Sequence, residues 1–251
     1  MSESLPKFLD PRIQKKSFYR GGSIREGALT SVSAIGVSPD LSEPLPAGYV
    51  LKEYNFPTKS WKDSESLNIG FGINNIDSLE NLQKMGSVLR RRQVEAERYF
   101  SDGLPDFVEP KQIIIGENRS GERRLFEVQK EIKGVSLGHY FEPLLEKLTL
   151  EQAHILQIEI KILIDKLMYI DKDEYYSENV LDLGSGNVFL TEDGHLRLID
   201  TNIESSSRAP EQILFNKAIV QRRKSLIEIL EKLSLKLKKM KIENAFLQSI
   251  D

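Results

Sequence analysis

The sequence predicts an α+β protein made of two unlike halves. Three observations carry this reading. Short apolar runs separated by turn residues occupy the first half, with one long helical pattern among them. From Thr149 onward the pattern is helical and encloses one short hairpin. No internal repeat or low-complexity segment interrupts that order.

The elements follow in sequence. Residues 1–17 read as a loosely packed tail. From Gly21 to Val37 small and β-branched residues alternate, which predicts a twisted hairpin. Pro39, Pro44 and Pro46 mark a loop, and Tyr49–Tyr54 alternates as a strand. Residues 55–77 are polar, rich in Asn, Ser and Gly, and read as an irregular insertion with strand potential at Leu67–Ile73; Trp61 within it reads as a packing residue. A helix follows over Ser78–Phe100, with Asp77 or Ser78 as N-cap and Glu80 in its first turn. Gln112–Gly116 and Leu125–Ile132 form a second hairpin around the polar turn Glu117–Arg124.

Thr149 starts a helix that runs through Ile170. Its apolar residues wrap most of the circumference, which predicts a helix buried all round. Val188–Leu190 and Leu196–Ile199 are strands joined by Thr191-Glu-Asp-Gly194, whose Asp-Gly is a strong hairpin turn. Pro210–Phe246 is helical. Leu226, Leu230, Leu233, Leu237 and Met240 repeat at 4-3-4-3 spacing, a coiled-coil seam of barely two heptads that reads better as docking this helix onto the helical half. The expected organisation is a tail (1–17), a sheet-rich half (18–132, with the 55–77 insertion) and a helical half (133–251).

Composition narrows the chemistry. The chain has 251 residues, 39% hydrophobic and 29% charged, so it can bury a core without covalent staples. It has no cysteine, which excludes disulfides, thiolate metal sites and cysteine nucleophiles. The opening MSESLPKFLDPRIQKK lacks the apolar run of a signal peptide, and no stretch approaches the ~18 apolar residues of a membrane span. A cytoplasmic protein is expected. A net charge of −3 argues against general nucleic-acid binding. The charge is uneven, however: residues 217–241 hold nine Lys or Arg against Glu228 and Glu231. This basic stretch reads as a solvated helix face, or as a surface for an acidic partner. His139, His154 and His195 lack metal-ligand spacing and read as structural or surface groups.

The chemistry concentrates in Asn179–Asp200. Asp182 and Asn187 lie five apart on a glycine-rich loop, and Asp200 follows Asn187 by thirteen across the short hairpin. A hairpin brings its ends together, so Asn187 and Asp200 are expected to be neighbours. An amide oxygen and a carboxylate so placed can hold Mg²⁺, which prefers hard oxygen ligands. Asp182 can accept a hydroxyl proton or orient an acceptor.

These residues resemble the protein-kinase superfamily. Asp182-Leu-Gly-Ser-Gly-Asn187 fits its catalytic-loop pattern D-x-x-x-x-N, and Asp200-Thr-Asn202 falls where the metal-binding D-F-G stands. The loop looks more like those of small-molecule kinases, such as aminoglycoside or fructosamine phosphotransferases, than those of eukaryotic protein kinases. The resemblance spans residues 20–202. It implies a bilobal fold, with an antiparallel-sheet N-lobe holding one main helix and a mostly helical C-lobe. It also implies ATP with Mg²⁺ or Mn²⁺, and transfer of the γ-phosphate to a hydroxyl of a small-molecule or protein acceptor.

By this match Asp182 is the base, while Asn187 and Asp200 are metal ligands. Ile24–Val32 aligns with the phosphate-covering loop, keeping Gly27 and Val32. Lys52, in Val50-Leu-Lys52, takes the place of the phosphate-binding lysine, and Glu95 or else Glu97 takes that of its helical partner. Backbone groups of Glu131 and Ile132 fall where adenine is bound. The sequence departs from the pattern at Val180 and Leu181, where the family has His and Arg, and at Arg25 and Thr30, where it has glycines. These departures leave open a pseudokinase that binds nucleotide or acts as a scaffold, or an adaptor working through the basic terminal helix.

Overall fold

The computed structural model describes residues 19–26, 30–36, 49–54, 78–117, 123–170, 179–181, 183–200, 203–205 and 210–248. The 1–17 tail, the 55–77 insertion with Trp61, and the single residues Gly27 and Asp182 lie outside them. Over the described residues the chain is α+β, with small antiparallel sheets and four helices. It divides into two compact units, one of Met1–Gln93 with Pro110–Glu131, the other of Val94–Glu109 with Ile132–Asp251.

The first unit is a five-stranded antiparallel sheet with the start of a helix on it. Its strands are β1 (Tyr19–Glu26), β2 (Thr30–Gly36), β3 (Tyr49–Tyr54), β4 (Lys111–Glu117) and β5 (Arg123–Lys130). They lie in the order β1-β2-β3-β5-β4. The β1–β2 hairpin carries register irregularities around Ser23, where the strand bulges. Helix α1 (Leu79–Phe100) starts on the hydroxyl of Ser78, which accepts from the Asn81 amide at 3.1 Å. Its first turns bury Leu82, Met85 and Leu89. Gly86 lets the helix approach the sheet closely, because a methyl there would meet Leu125 at 3.3 Å and Ile113 at 3.6 Å. The guanidinium of Arg90 donates to the Ile113 carbonyl at 3.0 Å.

The second unit is built on two long helices and a short one. Helix α2 (Glu142–Leu145) is a single turn, α3 is Leu150–Tyr169, and α4 is Pro210–Gln248. Thr149 caps α3 with a full capping box: its hydroxyl accepts from the Gln152 amide, and the Gln152 side chain accepts from the Thr149 amide. The helix is not buried all round, as its composition suggests. Ala153, Leu156, Ile160, Leu163 and Leu167 form one buried stripe, whereas Ile158 and Met168 stay 48% and 58% exposed. The spacing of the stripe, not the number of apolar residues, sets the packed face. Leu226, Leu230, Leu233 and Leu237 of α4 are fully buried, and Met240 packs partly against the same core, as the leucine seam predicts.

Short strands complete this unit. Strands β6 (Gly134–Ser136), β8 (Val188–Thr191) and β9 (Leu196–Leu198) form one antiparallel sheet in the order β6-β8-β9. Strands β7 (Asn179–Leu181) and β10 (Ile203–Ser205) pair antiparallel with each other. The β8–β9 turn is the predicted Asp-Gly turn, and Gly194 takes a φ of 84°, the left-handed region that glycine enters at little cost. Glu159 ties α3 to this hairpin. One carboxylate oxygen lies 2.6 Å from His195 Nδ1 and the other accepts from the Leu196 amide at 2.8 Å. Phe100 and Phe107 stack edge to face in the core, their centroids 4.7 Å apart.

Candidate functional site

Two groups of candidate residues emerge, one in each unit. In the first unit, register brings several of them into one row. Arg25 of β1 lies opposite Val32 of β2, Val32 opposite Lys52 of β3, Lys52 opposite Glu127 of β5, and Glu127 opposite Ile113 of β4. Residues directly opposite across strands share a sheet face. Ile113 and Leu125 approach Gly86, so the row that holds Lys52 and Glu127 lies on the face covered by α1.

The carboxylate of Glu127 serves two ammonium groups. Lys52 Nζ lies 3.7 Å from Glu127 Oε2, and Lys111 Nζ lies 3.4 Å from the same oxygen. The side chains of Lys111 and Glu127 are almost wholly buried, while that of Lys52 reaches partly to the surface. Charges persist in such a place only when they are paired, because burial strips their hydration. Sequence reading passed over Glu127 and Lys111. The available signal was Glu127 within the apolar stretch Leu125–Val128 and Lys111 at the head of Ile113–Ile115, but naming the pair requires the strand register. The helix phase, which periodicity left open, is set by Leu82, Met85, Leu89, Gln93, Ala96 and Phe100. Glu95 and Glu97 flank Ala96, and both are half-buried in the second unit. Glu131 and Ile132 follow β5, the first exposed and the second half-buried.

In the second unit, the segment after Asp182 forms a tight turn braced by backbone hydrogen bonds. The Asn187 amide donates to the Gly184 carbonyl at 2.9 Å, and the Gly138 amide donates to the Ser185 carbonyl at 3.0 Å. At the far end of the hairpin, the Ile199 amide donates to the Asn187 carbonyl at 3.0 Å. That bond brings the Asn187 and Asp200 segments together, as the hairpin argument requires. Leu183 is fully buried and anchors the turn. Asn187 and Asp200 are both half-buried, and the Oδ1 oxygen of Asp200 is shut off from solvent. A buried carboxylate oxygen demands a donor or a cation in compensation.

An amide oxygen and a carboxylate are the hard donors that Mg²⁺ or Mn²⁺ prefers, with open positions left for phosphate oxygens. Among the described residues no three His, Cys, Asp or Glu side chains form a metal-binding group. His195 is engaged with Glu159, and His139 Nδ1 lies 2.8 Å from the Ser136 hydroxyl, so both have structural roles.

Sequence reading also missed an open pocket of about 330 Å³, of mixed polar and apolar lining, between the Gly184–Asn187 turn and the α4 residues Gln221, Arg222 and Ser225. Its α4 wall depends on where a long helix docks, and no local motif marks that. No family model matches this chain, and no curated protein sequence does either.

Proposed function

We propose that the protein is an ATP-dependent phosphotransferase of protein-kinase-like architecture, acting on a hydroxyl acceptor. One observation carries the reading: the Ile199–Asn187 backbone bond, which brings the two expected metal-ligand segments side by side. The strand order supports it. A five-stranded antiparallel sheet with one helix between its third and fourth strands precedes a helical unit, as a kinase-like N-lobe precedes its C-lobe. The β7–β10 pair supports it too, because it joins the strand ahead of Asp182 to the strand after Asp200.

In this reading Asn187 and Asp200 would hold the cation, which would supply charge neutralisation to bound phosphate groups. Lys52, oriented by Glu127, supplies a phosphate-binding ammonium. Asp182 accepts the acceptor's proton as that hydroxyl oxygen bonds to the γ-phosphorus. The bond from that phosphorus to the β–γ bridging oxygen breaks, and ADP leaves. Catalysis then rests mostly on positioning and charge neutralisation.

The test combines binding with transfer. ATP with Mg²⁺ or Mn²⁺ is expected to raise the melting temperature of the wild type and to leave that of Asp200→Ala unmoved. Labelled phosphate from ATP is expected to reach an acceptor with wild type alone. A wild-type chain that binds no nucleotide at all sinks the reading. Binding without transfer selects the pseudokinase, which the single surviving loop glycine, Gly27, favours.

A further inference from the structure

The cavity beside the Gly184–Asn187 turn has features that the metal and phosphate roles do not use. The described residues that line it are Gly184, Ser185, Gly186, Asn187, Gln221, Arg222 and Ser225. These walls include a cation and hydrogen-bonding groups, and among the described lining residues there is no carboxylate. Its volume of about 330 Å³ suits a small molecule, not a polymer.

Gly186 adds an independent observation. Its φ is not positive, so the backbone there does not call for glycine. A methyl added at Gly186 would meet nothing within 4 Å among the described residues, so their packing does not call for glycine either. Neighbouring Gly138 differs, because a methyl there would crowd the Ser185 hydroxyl at 3.3 Å. The space that Gly186 leaves open adjoins the cavity it lines.

We infer that this cavity receives a small hydroxyl-bearing molecule with an anionic group, the anion meeting Arg222 and the molecule lying against the bare backbone of Gly186. Resting on the phosphotransferase reading, this molecule is the acceptor, since Asn187 is a wall of the cavity and also a proposed ligand of the cation. Arg222 binds the anion through charge-assisted hydrogen bonds. Gln221, Ser225 and Ser185 orient the hydroxyls. The anionic group sets the substrate class, setting phosphorylated or carboxylated polyols apart from neutral ones.

The experiment measures melting without nucleotide, using glycerol 3-phosphate and ribose 5-phosphate against glycerol and ribose. The two phosphates are expected to raise the melting temperature and the neutral compounds to leave it unchanged. Arg222→Gln is expected to weaken phosphate binding roughly tenfold. Gly186→Ala is expected to weaken it while keeping the wild-type melting temperature of the free protein. Both variants should keep the shift given by ATP with Mg²⁺. No response to either phosphate, an equal response to the neutral compounds, or unaltered binding in both variants overturns the inference. If the phosphates fail while ATP with Mg²⁺ still binds, only the cavity assignment falls. If the phosphates bind and ATP does not, the cavity's anion preference stands and its role as an acceptor site falls with the phosphotransferase reading.

Discussion

At the scale of single residues, the clearest local device is Thr149. Its hydroxyl and the Gln152 side chain satisfy two amides at the start of α3 that the helix itself leaves open. Thr149→Ala is expected to cost about 1 kcal/mol, read as a fall in melting temperature of about 2–4 °C. Glu142 gives a pH prediction. The Lys236 ammonium hydrogen-bonds its carboxylate and holds its pKa below the ordinary value, helped by the backbone amide of Glu142 itself. The folded value is thus lower than the unfolded one. The contact's contribution is fully present above the ordinary carboxylate range and fades as pH falls through the depressed folded value. An NMR titration should show the pKa of Glu142 rising toward its ordinary value in Lys236→Met. Because the pair is exposed, added salt should have the same effect in part. Thr149 was visible in the sequence as the start of the helix, since a cap acts over three positions. The Glu142–Lys236 contact was not, since it joins residues 94 apart.

At the scale of elements, legibility followed range. The Asp193-Gly194 turn announced the β8–β9 hairpin because the turn itself demands that chemistry. Strands β6, β7 and β10 have three residues each, too few for alternation to register. Their existence is decided by distant partners. Gly134 of β6 shows this: a methyl there would sit 2.2 Å from the Leu190 carbonyl oxygen on β8, a clash that only the folded pairing creates. Helix α3 misled for a related reason, since counting apolar residues does not reveal which side is covered. The α4 seam did reveal it, through its spacing. Leu233→Ala removes a fully buried side chain from that seam and is expected to cost about 2–5 kcal/mol in denaturant unfolding. The same change at Leu235, which is 58% exposed, is expected to move stability by about 0.5 kcal/mol or less.

At the scale of the whole molecule, the α+β class was legible from the order of strand and helix patterns, and so was the nearness of Asn187 to Asp200. The Lys52–Glu127–Lys111 cluster and the cavity wall on α4 were not, because register and docking are set by the assembled chain. No helix among the described residues is long and apolar enough to cross a membrane. The basic stretch is largely a solvated face, with Arg222, Lys224, Lys232, Lys236, Lys238 and Lys239 exposed and Arg223 buried. The proposed nucleotide binding has a definite expected size at this scale. A ligand present at a hundredfold excess over its Kd stabilises the native state by about 2.7 kcal/mol. For a chain of this length that is a melting shift of roughly 5–10 °C, and Lys52→Ala is expected to shrink it.

The shared oxygen of Glu127 makes mutational tolerance lopsided along its row. Exchanging Lys52 or Lys111 for methionine still leaves that carboxylate one cationic neighbour at its Oε2. Exchanging Glu127 for glutamine withdraws a negative charge from both ammoniums in a single step, and the cost of losing one side of a buried pair is about 3–5 kcal/mol. Saturation mutagenesis scored by protein abundance should therefore show position 127 accepting the fewest replacements of the three. Equal tolerance at all three positions would mean that the two lysines do not depend on their common acid.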